Sequence, residues 1–194
     1  MKNIRSCVII FLMMSLLTGV AYPLLVTVIG RGLFKDEAQG SLILIHGQVR
    51  GSKLIGQRFR SPAYFWSRPS ASEYGALPSS ASNLAPTSDA LKRGVEERRS
   101  RLSQSIASPI PADLLFSSGS GLDPHISPEA ALAQVDHVAK ARGLRPEEKV
   151  KLLEMVKQHI ETPQLGILGS PCVNVLDLNL ALDDLFGSPA PQEK

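Results

Sequence analysis

The sequence predicts an α+β fold: one N-terminal transmembrane helix followed by a single mixed α/β domain. Three observations predict it. No charged residue occurs from Cys7 to Ile29. Short alternating or continuous apolar runs at 42–57 and 172–176 are bounded by Gly, Pro and Asn, as strands are. Between them, apolar residues recur at helical spacing in three stretches that follow Ser, Pro or both. The composition agrees, with 43% hydrophobic and 20% charged residues in 194, which excludes collagenous, coiled-coil, wholly disordered and polytopic membrane chains. Aromatics are 5%, so the core is aliphatic. Two Cys make neither a disulfide scaffold nor a four-Cys zinc site. A net charge of +3 is too small to indicate nucleic acid. Basic residues lead in 31–108 and acidic residues in 109–194, which fits two lobes that attract each other or ordinary surface scatter.

The charge-free run covers 23 residues, about 35 Å as a helix, and is long enough to cross a bilayer. A cleavable signal peptide is the alternative, since Gly19 and Ala21 suit a small-x-small cut. Apolar character continues past Ala21 to Ile29, so an uncleaved anchor is expected, kinked at Pro23. Lys2 and Arg5 lie on one side, Arg31 and Lys35 on the other. With the α-amino group added, the balance leans slightly towards a cytoplasmic N-terminus. Ser15, Thr18, Gly19 and Ala21 are small enough to form a helix-packing face.

Beyond the anchor, Leu42–Ile45 reads as a strand, His46–Gly47 as a turn and Gln48–Val49 as the return strand. Gly51 marks a bulge or second turn before Lys53–Gln57. Residues 61–89 are rich in Pro, Ser and Ala, yet carry Tyr64, Phe65, Trp66 and Tyr74. A plain linker lacks such a cluster, so an ordered loop packed on the domain is expected. Arg58, Arg60 and Arg68 surround these aromatics, either to meet an anionic surface or to stack on the rings.

A helix begins near Thr87 or Ser88, with Leu91, Val95, Leu102 and Ile106 as its stripe, and ends at Pro109 and Pro111. Asp113–Phe116 reads as a short strand. Ser127 caps a helix whose first residue is Pro128 and whose face is Leu132, Val135, Val138 and Ala139, stopping before Gly143. Pro146 starts another, with Val150, Leu153, Val156 and Ile160 as its stripe. A strand at 172–176 and a helix at 177–185 complete the domain, and Cys172 reads as a core thiol. The division is therefore residues 1–6 as a short N-terminus, 7–29 as the transmembrane helix, 30–186 as the domain and 187–194 as a flexible tail.

Catalytic motifs are scarce. There is no Gly-Lys dipeptide and hence no phosphate loop of the Walker type. Gly119-Ser120-Gly121 lacks the third Gly of GxGxxG, and Ser117 stands where a GxSxG elbow needs Gly. The Ser117–Gly121 stretch has the form of a backbone nest before a helix, open to an anion, or is a tight turn leading to the Ser127 cap. Ser118, Gly119, Ser120, Gly121, Asp123, His125 and Asn174 are therefore the candidate partner or ligand residues. Asp123 precedes Pro124, where a short carboxylate can accept backbone N–H groups. Asn174 interrupts an apolar run and should face a partner rather than the core. None of His46, His125, His137 and His159 pairs with another at metal spacing. Asp123 and His125 offer a weak two-point site at most, and no metal centre is expected. A hydrolase using Ser120 and His125 lacks a third orienting group.

GSKLIGQRF, SPAYFWSRPSA, ASNLAPTSDAL, SGSGLDPHISPEAA, QVDHVAKARGL and VNVLDLNLALD follow one another in that order. Together with the single anchor, they resemble the C subunit family of Kdp-type potassium-transporting ATPases from the anchor to about Leu185. Ala85 stands where Gly is usual in that family. The resemblance implies a non-catalytic accessory subunit of an ATP-driven potassium importer in the cell (inner) membrane, with the main domain extracytoplasmic. Its partners would be a channel-like A subunit, an ATP-hydrolysing B subunit, a small F subunit and the lipid bilayer, with no nucleic acid. It implies no covalently bound cofactor, potassium as the ion carried by the complex, and ATP as a ligand of the complex whose affinity this subunit raises as a catalytic chaperone. The chain itself lacks the Asp-Lys-Thr-Gly motif of an aspartyl-phosphate hydrolase. A membrane-anchored extracytoplasmic anion-binding module is the alternative.

Overall fold

Residues 2–33 do form one long apolar helix in the computed structural model, which describes residues 2–45 and 47–189. It comprises α1 (Lys2–Leu16), a π-helical turn (Leu17–Ala21) and α2 (Tyr22–Leu33). The span Asn3–Leu33 has 31 residues, a mean hydropathy of 2.2 in its apolar stretch, and nothing buried against it. At 1.5 Å per residue it measures about 46 Å, more than a hydrocarbon core requires. The irregularity falls just ahead of Pro23. A proline has no N–H for the carbonyl four residues back, and here the ladder widens by one residue, with Tyr22 N–H donating to the Leu17 carbonyl. Thr18 and Thr27 return their hydroxyls to the Met14 and Pro23 carbonyls, both at 2.7 Å, so both threonine hydroxyls are satisfied within the helix.

The chain divides into two compact units, Met1–Arg50 and Gly51–Lys194. The first also holds α3 (Lys35–Ala38) and β1 (Leu42–Ile45). β1 pairs with β2 (Gln48–Ser52) as the expected hairpin; His46 of its turn lies outside the described residues.

The second unit is mostly helical. In order it contains α4 (Asp89–Leu102), α5 (Ala112–Leu115), β3 (His125–Ile126), α6 (Pro128–Ala133), α7 (Val135–Ala141), α8 (Pro146–Gln158), β4 (Val173–Asn174) and α9 (Val175–Phe186). β3 and β4 are antiparallel, with His125 opposite Asn174 and Ile126 opposite Val173. Ile126, Val138, Leu152, Val156, Val173, Leu178 and Leu182 form the heart of the aliphatic core, and Phe65 is its one fully buried aromatic among the described residues. Ser127 caps α6 as expected, its hydroxyl accepting the Ala130 N–H at 3.2 Å. Pro146 opens α8, where the Glu148 carboxylate accepts the Arg145 N–H at 2.8 Å.

Several expectations are corrected. Residues 112–115 form a helical turn rather than a strand, because Leu114 and Leu115 are both buried and strand alternation would send one outward. The helix expected at 128–142 breaks at Gln134. Its side-chain Nε2 takes the Ala130 carbonyl at 3.1 Å, and its backbone N–H donates to Ala131 instead. Of the stripe expected on α8, Val156 is buried and Leu153 and Ile160 pack against the core, whereas Val150 is 63% exposed and Leu152 and Met155 turn inward beside Val156. α4 ends at Leu102, before the prolines, and its Ser88 cap position makes no side-chain bond. The last strand stops at Asn174, whose side chain starts α9 two residues early. Cys172 is half-buried, not a core thiol, since Val173 takes the inward position. Residues 187–189 have no regular structure, and the remainder of the expected tail lies outside the described residues.

The aromatic segment behaves as a strand without a strand beside it. Ala63, Phe65 and Ser67 are buried while Tyr64, Trp66 and Arg68 are half-exposed. Two buried amides replace the missing neighbour. Asn179 Oδ1 accepts the Phe65 N–H at 2.8 Å and its Nδ2 donates to the Phe65 carbonyl at 3.0 Å. Gln134 does the same for Trp66, at 2.7 and 3.2 Å. The Arg142 guanidinium closes the end of the segment. It donates to the Ala63 carbonyl at 2.8 Å and the Asp183 carboxylate at 2.6 Å, and lies over the Tyr64 ring at 5.1 Å.

Replacing Asn179 with Ala orphans both backbone groups of Phe65. The expected cost is about 1–3 kcal/mol for each orphaned group, read as a lower denaturant midpoint for the full chain in detergent. An unchanged midpoint would reject the bracket as a stabilising element.

Candidate functional site

The serine–glycine loop lines a shallow depression of about 520 Å³ with Leu54, Ile55, Ser118, Gly119, Ser120, Leu122, Asp123 and Pro124. Its geometry is set by close backbone crossings. Gly56 N–H donates to the Leu122 carbonyl at 2.7 Å, and a Cβ at Gly56 would lie 2.6 Å from the Asp123 carbonyl oxygen. Gly121 has φ +71°, and a Cβ there would meet the Ser80 carbonyl oxygen at 2.7 Å. No side chain fits at either place, which is why glycine occupies both.

Four of the seven residues expected at a partner or ligand site line this depression, Ser118, Gly119, Ser120 and Asp123, whereas Gly121, His125 and Asn174 do not. Ser118 is buried, and its carbonyl accepts the Gly121 N–H at 3.3 Å. Ser120 is exposed and its hydroxyl accepts the Leu122 N–H at 3.1 Å. One donor of the would-be nest, the Gly121 N–H, and the Leu122 N–H that follows it are therefore spent inside the turn. His125 turns its Nδ1 towards Asp123, and among the described residues no hydrogen bond joins it to Ser120.

Asp123 is the organising carboxylate. Its Oδ1 accepts the His125 backbone N–H at 3.0 Å and its Oδ2 accepts from Arg68 at 3.1 Å. The His125 ring stands 3.6 Å from Oδ1, an ion contact rather than a hydrogen bond. Burial opposes the Asp123 charge, but His125 and Arg68 outweigh it and hold the carboxyl below its ordinary range. Asp123 in turn raises the His125 pKa against the opposing effect of burial. Asn174 is buried and fully used: Nδ2 donates to the Lys53 carbonyl at 2.8 Å, and Oδ1 accepts the Leu176 and Asp177 N–H groups at 3.1 and 3.3 Å. Its partners are backbone groups of its own chain.

Arg58 lies 5.8 Å from the Tyr74 ring centroid, and Arg68 is bound to Asp123; both are held by neighbours in their own domain. Asn179, Gln134 and Arg142 went unnoticed at the level of sequence. Their signal was a polar residue inside an apolar helical stripe, as Asn179 is between Leu178 and Leu182. Sequence spacing also gave no hint that His125, Glu161 and Cys172 place donor atoms within 4.8 Å of one another.

The Asp123–His125 contact has a definite pH signature. Asp123, depressed on folding, contributes stability above its unfolded value of about 3.9, and this is lost as pH falls through the folded value. His125, raised on folding, contributes stability below about 6.5, and this is lost as pH rises through its folded value. Imidazole NMR titration should place His125 above the ordinary value, and Asp123→Asn should lower it. An unshifted His125 in both proteins would exclude the interaction.

Comparison with known proteins comes down to one family. The family model described as K+-transporting ATPase, c chain (KdpC) matches residues 4–184. Curated relatives named potassium-transporting ATPase KdpC subunit are similar over nearly their whole length. The protein of Polaromonas naphthalenivorans is 50% identical over 198 residues, covering 98% of this chain and 100% of the relative. That of Cereibacter sphaeroides (strain ATCC 17029) is 49% identical over 183 residues, covering 94% and 97%. That of Paraburkholderia xenovorans is 46% identical over 192 residues, covering 95% and 98%. With the anchor helix, the aromatic segment and the SGSGLDPHIS loop all inside the matched range, the chain belongs to the KdpC family, the c chain of K+-transporting ATPases.

Proposed function

We propose that the chain is a non-catalytic accessory subunit of a potassium-importing ATPase. Its helix anchors it in the cell membrane with the N-terminus cytoplasmic, and the Gly51–Phe186 domain stands outside the membrane against the channel-like subunit. The observation that carries the docking reading is a set of ordered loops with bare apolar tips. Leu165 is 89% exposed and Ile167 83%, in a loop closed by paired backbone bonds between Gln164 and Leu168; Leu77 is 95% exposed. These three are the barest large apolar side chains of the second unit; they gain nothing in water and suit a partner surface.

In this reading the subunit acts without touching nucleotide. The serine–glycine turn spends its Gly121 and Leu122 N–H groups internally, and Arg68, the cation bonded next to it, is bound to Asp123. A triphosphate generally needs free cations or Mg²⁺ as well as backbone donors. Raising the nucleotide affinity of the hydrolysing subunit then means binding one conformation of the complex better than another. Isolation of the c chain with the A, B and F subunits is the assembly assay.

The double substitution Leu165→Asp, Ile167→Asp should leave the melting temperature of the chain unchanged while reducing its retention on the purified complex at least about tenfold, as loss of a central apolar contact does. Full retention would remove this loop from the interface. Titrating ATP–Mg²⁺ calorimetrically into the purified full chain should give no binding. A micromolar dissociation constant, lost on Ser120→Trp, would instead establish direct nucleotide contact.

A further inference from the structure

We propose that His125, Glu161 and Cys172 form a binding site for one divalent cation of the zinc class. The donor atoms of the three side chains lie within 4.8 Å of one another, although the residues are far apart in the chain. Register places them there. Ile126 and Val173 face each other across β3 and β4 and both enter the core. By alternation their neighbours His125 and Cys172 take the opposite, outer face. Glu161 joins the same ladder from the other side, its N–H donating to the Cys172 carbonyl at 2.8 Å and its carbonyl accepting the Cys172 N–H at 3.2 Å. Directly paired residues present their side chains on one face, so all three donors converge from three backbone segments.

The donor set is one nitrogen, one sulfur and one carboxylate oxygen. That mixture suits Zn²⁺ and its analogue Co²⁺, and does not suit Ca²⁺ or Mg²⁺, which take oxygen ligands. Ligands about 2.0–2.3 Å from a tetrahedral metal sit about 3.3–3.8 Å apart. The exposed Glu161 side chain has the freedom to close the remaining ångström. Asp123, 3.6 Å from His125 Nδ1 and itself held by Arg68, is the positioning residue: a carboxylate on one imidazole nitrogen fixes the ring and leaves the other for a metal. Burial, Glu161 and Asp123 keep the Cys172 thiol protonated in the absence of a cation. On binding, the thiol gives its proton to solvent, the thiolate bonds to the metal and no electron is transferred. Three protein ligands leave a fourth position for water or for a donor from a docked subunit.

The test uses the reduced, metal-free full chain in detergent, titrated with Co²⁺. We expect a thiolate-to-cobalt charge-transfer band in the near ultraviolet that saturates at one equivalent and is bleached by Zn²⁺. Cys172→Ser should abolish the band and Cys7→Ser should leave it intact. His125→Gln and Glu161→Gln should each weaken binding at least about tenfold, and Asp123→Asn by about tenfold. Glu161 is exposed, so its variant should melt as the unmodified chain does without metal. Zn²⁺ should raise the melting temperature of the unmodified chain and not that of Cys172→Ser. No band, a band that survives Cys172→Ser, or a band indifferent to both Glu161→Gln and His125→Gln would overturn the site.

Discussion

Two buried side-chain amides hold the domain to its aromatic segment, and most of the remaining packing depends on that grip. Ala63 to Ser67 alternates inward and outward like a central strand, yet among the described residues no strand pairs with it. Buried backbone groups must find partners. Asn179 on α9 and Gln134 between α6 and α7 each present a donor and an acceptor in one plane, as a neighbouring peptide would. Phe65 can therefore enter the aliphatic core from an otherwise irregular chain. Gln134 meets this demand by leaving its helix, which is the reason α6 and α7 are two elements.

The same segment carries the candidate site. Trp66 stacks on the His137 ring with centroids 4.3 Å apart, and burial pushes the His137 pKa down. Two residues further on, Arg68 reaches Asp123. Asp123 caps the turn into β3, and β3 pairs with β4, which Asn174 ends by capping α9. Asn174 also holds the Lys53 carbonyl, and Gly56 crosses the Leu122–Asp123 backbone. A chain of short contacts thus runs from the bracketed aromatics to the serine–glycine loop. The depression is shaped by backbone against backbone and so changes little with side-chain motion.

Apolar surface is treated in opposite ways in the two units. The N-terminal helix exposes its apolar residues along nearly its whole length, as a helix that crosses a bilayer does. The second unit buries most of its aliphatic residues in one core, and its barest large apolar side chains are Leu77, Leu165 and Ile167. Chains that assemble with others commonly keep such patches on otherwise satisfied folds.

The amino-acid sequence by itself determined the anchor helix, the Ser127 and Pro146 helix starts, the first hairpin and the ordering of the aromatic loop. Each follows from local chemistry: absence of charge, a capping hydroxyl, a proline at a first turn, or apolar rings that cannot stay in water. The six ordered segments likewise sufficed to indicate the family. Only the tertiary structure decided that α8 turns Leu152 and Met155 inward and Val150 outward, that 112–115 is a turn of helix, and that Asn174 caps α9 rather than continuing a strand. Those choices are nearly balanced locally and are settled by what packs opposite. It alone also brought His125, Glu161 and Cys172 to one face, since the register between β3, β4 and Glu161 is a long-range property that no spacing along the chain encodes.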